Sequence, residues 1–402
     1  MSRQQAPLRV AMIGYGFMGA AHSVGWRQAP RMFALPADVE MTVVVGRNAD
    51  AVAAAAGRWG WAESATDWRE VVARDDIDIV DIVTPGDSHA EIAIAALEAG
   101  KHVLCEKPLA NSVAEAEAMA DAAQRAAERG IFSMVGFTYR RVPAVTLLRD
   151  LIADGLVGTV QQVRAAYRQD WLVDPGMPLA WRLQKEHAGS GALGDIGAHI
   201  IDMTQFVTGQ SVESVSGTMD TIVKQRPVQA TASGLSATAG EGFGEVTVDD
   251  VAIFTGRLSG GALAAFEATR FATGRKNALT IEVSGDKGAL AFDLEELNSL
   301  RFYDRTAPEH RQGFTKILVT EAMHPYVEAW WPAGHMLGYE HGFSHQVVDL
   351  VTSIADGAQP HPSFAEGLSV QRVLDAVENS SEHDSVWTAV GVRAAEPVRN
   401  NE

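Results

Sequence analysis

Two short motifs in the sequence carry side chains that can transfer protons. The first is Glu106-Lys107-Pro108, which directly follows a predicted strand at Val103–Cys105. A partly buried lysine loses its proton more easily than a free one, so Lys107 at the end of this strand can take part in acid–base chemistry. Its bond to Pro108 can also be cis, which would fix the direction of the lysine. The alternative is a surface lysine in an ordinary turn.

The second motif lies in a glycine-rich segment, residues 189–202, that leads into a predicted helix. Asp195 and His199 are four residues apart, so they share one face of that helix, and Asp202 lies on the same face. A carboxylate beside a histidine orients the ring and makes it a better base. Without a third clear ligand these positions predict no zinc site. The alternative is a helix-capping aspartate and a core histidine.

A glycine-rich turn near the start of the chain indicates what these groups act beside. The apolar run Leu8–Ile13 leads into the pattern G-x-G-x-x-G, which is the strand–turn–helix signature of dinucleotide binding. The glycines allow a tight turn, close approach of the backbone to a pyrophosphate, and a helix whose first N–H groups face the phosphates. A glycine turn without a ligand is the alternative. The cofactor contacts predicted in this turn are Gly14, Gly16, Phe17, Met18 and Gly19.

A second strand end points to the same place. The β-branched run Ile79–Val83 reads as a buried parallel strand, and the segment 84–89 follows it. Ligands of doubly wound sheets lie beyond the carboxyl ends of the strands, so this segment and the lysine motif are expected to face one ligand. The alternative is an ordinary loop capped by Asp87 or Ser88. The cofactor contacts predicted at these two strand ends are Thr84, Pro85, His89, Glu106, Lys107 and Pro108.

The end of the second predicted strand bears on which dinucleotide binds. An acidic side chain there would bind the ribose 2′-hydroxyl and reject a 2′-phosphate. After Val39–Val45 the chain continues Gly46-Arg47-Asn48, with no acid at this place. The planar fork of Arg47 suits a phosphate, so the sequence favours NADP over NAD, with Arg47 and Asn48 as contacts. The alternative is that Arg47 stacks on the adenine and NAD is used.

The elements that position these groups follow two patterns. Residues 8–135 alternate strand-like and helix-like segments, which predicts right-handed βαβ crossovers and a doubly wound parallel sheet. After about residue 136, strand-like runs separated by tight turns predict an antiparallel sheet with helices on one face. We therefore predict an α/β protein with two domains, residues 1–136 for the dinucleotide and residues 137–402 for the substrate.

Two segments carry weaker signals. The helix after the glycine turn is expected to begin near Met18 and to fray before Pro30, because proline cannot continue the hydrogen-bond ladder. The Gly/Ser/Thr-rich stretch Gln225–Gly244 is predicted to be a loop.

Composition excludes several classes of partner. The 402 residues include 51 acidic and 33 basic side chains, a net charge of −18, so the basic surface needed for nucleic acid or an anionic membrane is missing. Cys105 is the single cysteine, which excludes an intrachain disulfide and a cysteine-based metal cluster. No stretch approaches ~18 uninterrupted apolar residues, and the N-terminus lacks the apolar core of a signal peptide. We expect a cytoplasmic protein with no bound metal.

The order of these motifs resembles that of the Gfo/Idh/MocA oxidoreductase family. The pattern is G-x-G-x-x-G, then T-P-x-x-x-H, then E-K-P, then G-x-L-x-D-x-x-x-H-x-x-D, and the resemblance extends over essentially the whole chain. It implies an N-terminal Rossmann domain and a C-terminal α/β domain whose large open sheet packs against another subunit, giving a homodimer or homotetramer. The substrate would lie in the crevice between the domains, and the family's catalytic set falls on Lys107, Asp195 and His199.

The sequence departs from the family pattern at two positions. Many relatives carry Asn after the Thr-Pro pair, where this chain has Gly86, which removes a polar side chain near the cofactor. The family's F-N-Y-R reads F-T-Y-R here, so Thr138 replaces a pocket amide by a hydroxyl. Both changes bear on substrate contacts rather than on the hydride chemistry.

Within the family, five segments most resemble the sugar, anhydrosugar and inositol dehydrogenases: 139–144, 169–175, 179–185, 191–203 and 330–341. The hypothesis is therefore an NAD(P)-dependent oxidation of a secondary hydroxyl to a ketone. The residues nominated for the substrate pocket are Tyr139, Arg140, Tyr167, Trp181, Arg182, Asp195, His199 and His335.

In this hypothesis His199, oriented by Asp195, takes the hydroxyl proton, and Lys107 stabilises the developing alkoxide. Two other functions share the motifs. Some members of the family use a tightly held NAD for glycoside hydrolysis by transient oxidation, and a dinucleotide-binding regulator is the other alternative, although a regulator has no need of the catalytic set. For the pocket aromatics a place in the core is the alternative, and His335 lies in a loop that suits either a lid or a partner contact.

Overall fold

A parallel sheet forms the first part of the molecule. The structure, a computed structural model, describes residues 6–233 and 236–391. The strands of the first sheet are β1 (Leu8–Ile13), β2 (Val39–Val45), β3 (Glu63–Ala65), β4 (Ile79–Ile82), β5 (His102–Cys105) and β6 (Ser133–Val135). Their order is β3-β2-β1-β4-β5-β6, and every neighbouring pair is parallel. The predicted doubly wound sheet is confirmed.

Side-chain caps set where several helices of this part begin. The helices are α1 (Phe17–Met32), α2 (Ala49–Trp59), α3 (Trp68–Val72), α4 (His89–Glu98) and α5 (Val113–Ala127). Asn48, Asp67 and Ser112 each accept a hydrogen bond from a first-turn N–H group, at the starts of α2, α3 and α5. Because all six strands are parallel, their carboxyl ends lie at one edge of the sheet.

The expected end of α1 before Pro30 is wrong, because the helix continues to Met32. Pro30 lies in the last turn, where a missing N–H removes only one hydrogen bond. Trp26 and Ala29 on the same helix are buried, and the Phe33 N–H still reaches the Ala29 carbonyl at 2.9 Å. Packing therefore carries the helix past the proline.

A second, larger sheet follows. The remaining strands are β7 (Val160–Arg168), β8 (Val212–Asp220), β9 (Gln225–Ser233), β10 (Ser236–Glu245), β11 (Val251–Leu258), β12 (Leu263–Thr269), β13 (Ala278–Gly285), β14 (Gly288–Asp293), β15 (Ser299–Asp304), β16 (Phe314–Leu318) and β17 (Thr388–Ala389). The sheet has the order β16-β15-β14-β13-β7-β12-β11-β8-β17. Only the β7–β12 pair is parallel, so the sheet is mixed and mainly antiparallel, as predicted.

Helices cover one face of this sheet. The helices are α6 (Pro143–Ala153), α7 (Lys185–Ala188), α8 (Ala198–Thr208), α9 (His341–Ala355) and α10 (Phe364–Glu382), of which α6, α8 and α10 pack against the strands. Phe254 and Phe266 on β11 and β12 point into this layer and are buried. Ile253 and Leu263 on the same two strands point the other way and are exposed. One face of the sheet is therefore part of the core and the other is open.

The predicted loop at Gln225–Gly244 is wrong, because β9 (Gln225–Ser233) and β10 (Ser236–Glu245) pair as antiparallel strands, which we call the β9–β10 hairpin. Its pairing shifts register twice, which hides the alternation that would have identified it. Arg226 at its base is fully buried and donates hydrogen bonds to the carbonyls of Leu172 and Asp174 at 2.7 and 2.8 Å. Contacts with residues far away in the sequence thus hold the hairpin.

Helix α9, although late in the chain, packs against α1 beside the first sheet. A Cβ on Gly25 would lie 2.8 Å from the carbonyl oxygen of Phe343, so the two helices are in close contact there. Val347 and Leu350 of α9 join the apolar cluster that contains Met12 and Trp26. The predicted division of the chain at residues 136 and 137 stays a prediction. Within the described ranges, no helix is both long and apolar enough to span a bilayer.

Candidate active site

The glycine turn after β1 has space where a pyrophosphate would lie. Gly14 has a φ of +112°, and a Cβ there would lie 2.8 Å from the Val83 carbonyl oxygen. A Cβ on Gly19 would lie 2.8 Å from the Gly14 carbonyl oxygen, whereas one on Gly16 would meet no atom within 4 Å. As the N-cap of α1, Gly16 offers no side chain to the first-turn N–H groups. The turn therefore fits a dinucleotide pyrophosphate.

The two cofactor contacts predicted at the end of β2, Arg47 and Asn48, differ in whether their side chains have partners within the protein. Arg47 is exposed, and its side chain has no hydrogen bond or ion pair with any residue that the structure describes. Asn48 is the N-cap of α2, and its Oδ1 accepts the Ala51 N–H at 2.9 Å. Its side-chain oxygen is thus engaged in capping, and its contact with the cofactor stays a prediction. The ring of Tyr15 lies directly over Gly46, where a Cβ would clash with it.

The loops after β4 and β5 are tied together by His89. This ring is buried, with Nδ1 3.0 Å from the Pro108 carbonyl oxygen and Nε2 2.9 Å from the Thr84 carbonyl oxygen. Its predicted role as a cofactor contact is therefore corrected to that of a bridge between the two loops. The Lys107–Pro108 bond is cis.

The space beside Gly86, where many relatives carry an Asn side chain, is filled by the side chain of Asn111. A Cβ on Gly86 would clash with the side-chain oxygen of Asn111, whose Nδ2 donates to the His187 carbonyl at 3.0 Å. Asn111 thus supplies an amide beside Gly86. Thr138, at the other departure, donates a 2.8 Å hydrogen bond to Gln346 in the interior.

The segment that carries Asp195 is a π-helical turn, Leu193–Gly197, which leads into α8. Asp249 holds its start, since its two carboxylate oxygens accept the N–H groups of Gly191 and Leu193 at 2.6 and 2.8 Å. Turns of this kind occur frequently at functional sites.

Asp195 joins two cations rather than orienting His199. The Lys107 ammonium lies 3.3 Å from Asp195 Oδ1 and donates to its backbone carbonyl at 2.8 Å. Arg270 Nη2 lies 2.9 Å from Oδ2. Within the described part of the chain, no hydrogen bond joins Asp195 to His199. The predicted orienting bond is therefore wrong, because Lys107 and Arg270 engage the two carboxylate oxygens of Asp195.

Charge in this cluster keeps both acid–base groups in definite states. Burial raises the pKa of Asp195, but the positive charges of Lys107, Arg270 and Arg182 outweigh it and hold the pKa below its usual range. Burial, reinforced by the Lys107 charge and only partly offset by Asp195, holds the pKa of His199 well below its usual value. Asp195 is therefore ionised, and His199 is a neutral ring that can accept a proton.

Aromatic rings surround His199. Tyr139 lies 4.7 Å from it, Tyr167 5.8 Å and Phe137 6.0 Å, measured between ring centroids. The two tyrosine hydroxyls are 2.8 Å apart, and Tyr167 donates to Asn277 at 2.7 Å. The structure therefore brings both predicted tyrosines to His199, although each is largely buried.

The charge of Arg182 acts on Asp195, and Trp181 packs against Arg182. Both are half-buried, and the Arg182 guanidinium lies 4.4 Å above the Trp181 ring. Burial lowers the pKa of Arg182, and the charge of Asp195 opposes this effect. Arg182 makes no hydrogen bond or ion pair with the residues described by the structure, so its donors are available to a ligand.

Two nominated pocket residues lie elsewhere. Arg140 is buried in a double ion pair with Asp202, at 2.5 and 2.9 Å, and a further pair with Glu366 at 2.7 Å. Its predicted substrate contact is therefore wrong, because all its charge is used within the fold. His335 is exposed on its loop, with Nδ1 2.7 Å from the Pro332 carbonyl oxygen, and no described contact joins it to the other site residues.

Sequence reasoning missed three side chains of this site: Arg270, Asn277 and Tyr339. The Tyr339 ring lies 6.4 Å from Tyr139 and 6.5 Å from Phe17, nearly parallel to the latter, and so connects the glycine turn with the tyrosine cluster. A cavity of about 290 Å³ lies beside Tyr139, Asn277 and Tyr339. A second cavity, of about 400 Å³, lies beside Asp249 and contains none of the predicted site residues. Among the described residues, no group of three or more side chains could hold a metal ion.

Comparison with known proteins agrees with this geometry. A family model described as an oxidoreductase family with an NAD-binding Rossmann fold matches residues 8–135, and a model of the GFO/IDH/MocA C-terminal domain matches residues 145–291. Fold and site thus define a Rossmann-fold, NAD-binding oxidoreductase. More particularly, the chain belongs to the GFO/IDH/MocA family, which confirms the resemblance read from its motifs.

Among the relatives, levoglucosan dehydrogenase of Pseudarthrobacter phenanthrenivorans is 41% identical over 95% of this chain and 98% of its own length. A crystal structure of an oxidoreductase domain protein from Kribbella flavida is 61% identical, with a TM-score of 0.92 over 96% of this chain and 100% of that one. Levoglucosan dehydrogenase in complex with NADH and levoglucosan is 39% identical, with a TM-score of 0.90 over 96% and 100% of the two chains.

Proposed function

We propose that this protein is an NAD(P)-dependent dehydrogenase that oxidises a secondary hydroxyl of a sugar, anhydrosugar or inositol to a ketone. The observation that carries the proposal is the neutral His199 beside the Lys107–Asp195 pair, at the edge of the sheet where the glycine turn lies. The similarity to levoglucosan dehydrogenase over nearly the whole chain supports the substrate class.

The residues divide the work as follows. His199 accepts the proton of the reacting hydroxyl, and the Lys107 ammonium donates a hydrogen bond to the same oxygen as negative charge develops on it. Asp195 and Arg270 hold the ammonium in place. The glycine turn would hold the dinucleotide, which accepts a hydride when bound.

The substrate is positioned by the side chains around His199. Tyr139 and Tyr167 form the wall of the pocket, and Trp181 offers an aromatic face of the kind that packs on sugar C–H groups. Arg182, with its donors unpaired, bonds a second substrate oxygen. In this proposal no substrate contact falls to Arg140 or His335.

A substrate panel tests the reaction. Sugars, anhydrosugars and inositols are incubated with the protein and each dinucleotide, and reduced nicotinamide is followed by its absorbance. We expect net reduced cofactor with at least one of these polyols. Cleaved glycoside without net reduced cofactor would instead identify the hydrolase, and dinucleotide binding with no turnover of any compound would identify a regulator.

Arg47 decides between the two dinucleotides in our proposal. The free guanidinium and the absence of an acid after β2 favour NADP, whereas the relative solved with NADH favours NAD. Replacing Arg47 by Ala should lower kcat/KM for NADP by about tenfold, the equivalent of ~1.4 kcal/mol, and change that for NAD severalfold less. If kcat/KM fell equally for both cofactors, Arg47 would not distinguish the 2′-phosphate of NADP from the 2′-hydroxyl of NAD.

For the whole molecule, we propose a homodimer or homotetramer formed through the open face of the nine-stranded sheet, with the two domains meeting at residues 136 and 137. The exposed Ile253 and Leu263 and the paired charges of Arg164 and Glu282 lie on that face. A single, buried cysteine suits a reducing compartment, so the proposed location is the cytoplasm.

A further inference from the structure

A buried histidine that the proposed reaction does not use lies behind Lys107. His22 of α1 is almost fully buried between two carboxylates. Its Nδ1 lies 2.9 Å from both oxygens of Asp81 on β4, and its Nε2 lies 3.1 Å from Oε1 of Glu106. Ionised carboxylates have no hydrogen to donate, so both ring nitrogens must carry one. With both carboxylates ionised, the geometry therefore fits an imidazolium that donates from both ring nitrogens.

Three neighbouring residues pack closely around this cluster. Trp26, one turn along α1, donates its indole N–H to Asp81 at 2.7 Å. A Cβ on Gly136 would lie 2.5 Å from Glu106 Oε1, so a glycine is required where this carboxylate passes. Phe343 of α9 covers the imidazole ring at 5.4 Å.

Glu106 connects the cluster to the proposed site. Its second oxygen, Oε2, accepts the backbone N–H of Lys107 at 3.3 Å, and its own N–H donates to the Ile82 carbonyl at 2.9 Å. The direction in which the Lys107 side chain leaves the backbone therefore depends on the Glu106 carboxylate staying in place.

We propose that His22 is a positioning residue, whose doubly protonated ring holds the Glu106 carboxylate behind Lys107. The inference rests on the role proposed for Lys107. Two carboxylates buried side by side without a cation would be strongly destabilised, so one would take up a proton or turn away. Either change releases the Lys107 N–H and lets the ammonium drift from Asp195.

Nuclear magnetic resonance tests the charge without any substrate. In protein labelled with ¹⁵N-histidine, one of the twelve histidines should remain doubly protonated at about pH 9, far above the ordinary histidine pKa of 6.5. That signal should be missing from His22→Gln. If no histidine is protonated at this pH, the proposal is wrong.

Chemical labelling of Lys107 tests the positioning, again without turnover. Acetylation of Lys107 by acetic anhydride, followed by mass spectrometry, should be several-fold faster in His22→Gln and in Glu106→Gln than in the wild type. The double variant should label no faster than the faster single variant, because both act through one carboxylate. The proposal would be overturned if the rate increases of the two single variants multiplied in the double variant. It would also be overturned if neither single variant changed the labelling rate.

The matched control is His102→Gln, the same exchange on the strand that leads into Glu106. His102 lies at the opposite end of β5, where its Nδ1 accepts the Phe132 N–H at 3.0 Å. In the His102→Gln variant, Lys107 should be acetylated at the wild-type rate even if the melting temperature of the variant falls. If the substrate panel identifies a polyol that the protein oxidises, His22→Gln should lower kcat for that oxidation by about tenfold. The KM for the dinucleotide should change by less than twofold in either direction. If the labelling results are as expected but the protein oxidises no polyol, the proposed reaction is wrong and the role of His22 still stands.

Discussion

Asp195 shows how one carboxylate serves a site by binding cations instead of a base. Its oxygens engage Lys107 and Arg270, while burial, reinforced by the Lys107 charge, holds the pKa of His199 low and keeps the ring neutral. In the proposed reaction the substrate proton then passes to His199, while Lys107 bonds the same oxygen. The division of labour follows from electrostatics rather than from a hydrogen-bonded His–Asp pair.

The first residue-scale prediction concerns these two groups. Lys107→Met and His199→Ala should each lower kcat by about 10²–10⁴-fold, since each removes one acid–base or electrostatic contribution. Dinucleotide binding, measured by fluorescence titration, should change little. The exposed His310→Ala serves as control and should keep full activity. Turnover near that of the wild type in both variants would refute the assignment.

The second concerns the pH dependence of stability. Burial lowers the pKa of His22, but Asp81 and Glu106 outweigh it and raise the pKa to about 10. A raised pKa means that the native state binds the proton more tightly, so this contribution is complete below about pH 6.5 and is lost as the pH rises towards 10. Urea unfolding should show stability falling across this window. The decline should be clearly smaller in His22→Gln, and equal declines would contradict the prediction.

Single residues also mark the limit of what the sequence could predict. Lys107 and His199 lie in local motifs, so their sites could be predicted from neighbours in the chain. Arg270 is an isolated arginine 75 residues from Asp195, and only the fold brings the two together. Arg140 likewise could not be placed from the sequence: it resembles a pocket residue, but in the fold it forms ion pairs with Asp202 and Glu366.

At the scale of elements, prediction succeeded where a segment carries its own boundaries. The bounds of β1 and β2 are as expected, because each apolar run ends at a glycine. The β9–β10 hairpin has no such local signals, since its base is held by Arg226 and its strands pair irregularly. The π-turn at Leu193–Gly197 likewise depends on Asp249, far along the chain.

At the scale of the molecule, the two sheets contribute different sides of one crevice. The parallel sheet presents the glycine turn and Lys107, while the mixed sheet and α8 present His199 and Tyr167. Tyr339 contacts Phe17 on one side and Tyr139 on the other. The net charge of −18 makes the local excess of cations at Asp195 a property of the site and not of the whole surface.

The last prediction concerns assembly through the open sheet face. Neighbouring strands lie ~4.8 Å apart, so nine strands span ~40 Å, enough for an interface of ~800 Å² on each partner. Ile253 and Leu263 are 59% and 41% exposed on this face, apolar side chains that a second copy would cover. Changing both to Arg places like charges opposite each other across such an interface, and should convert the oligomer to monomers in sedimentation velocity.

The same variant should leave the free energy of unfolding of the monomer within about 1 kcal/mol of the parent value, because both side chains point outward from the core. Met323→Arg is the matched control, since Met323 is 83% exposed but lies outside the sheet, and it should keep the wild-type mass. A wild type that sediments as a monomer, or a double variant of unchanged mass, would exclude this face as the interface. Residual activity of the monomers would then tell whether each crevice is complete within one chain.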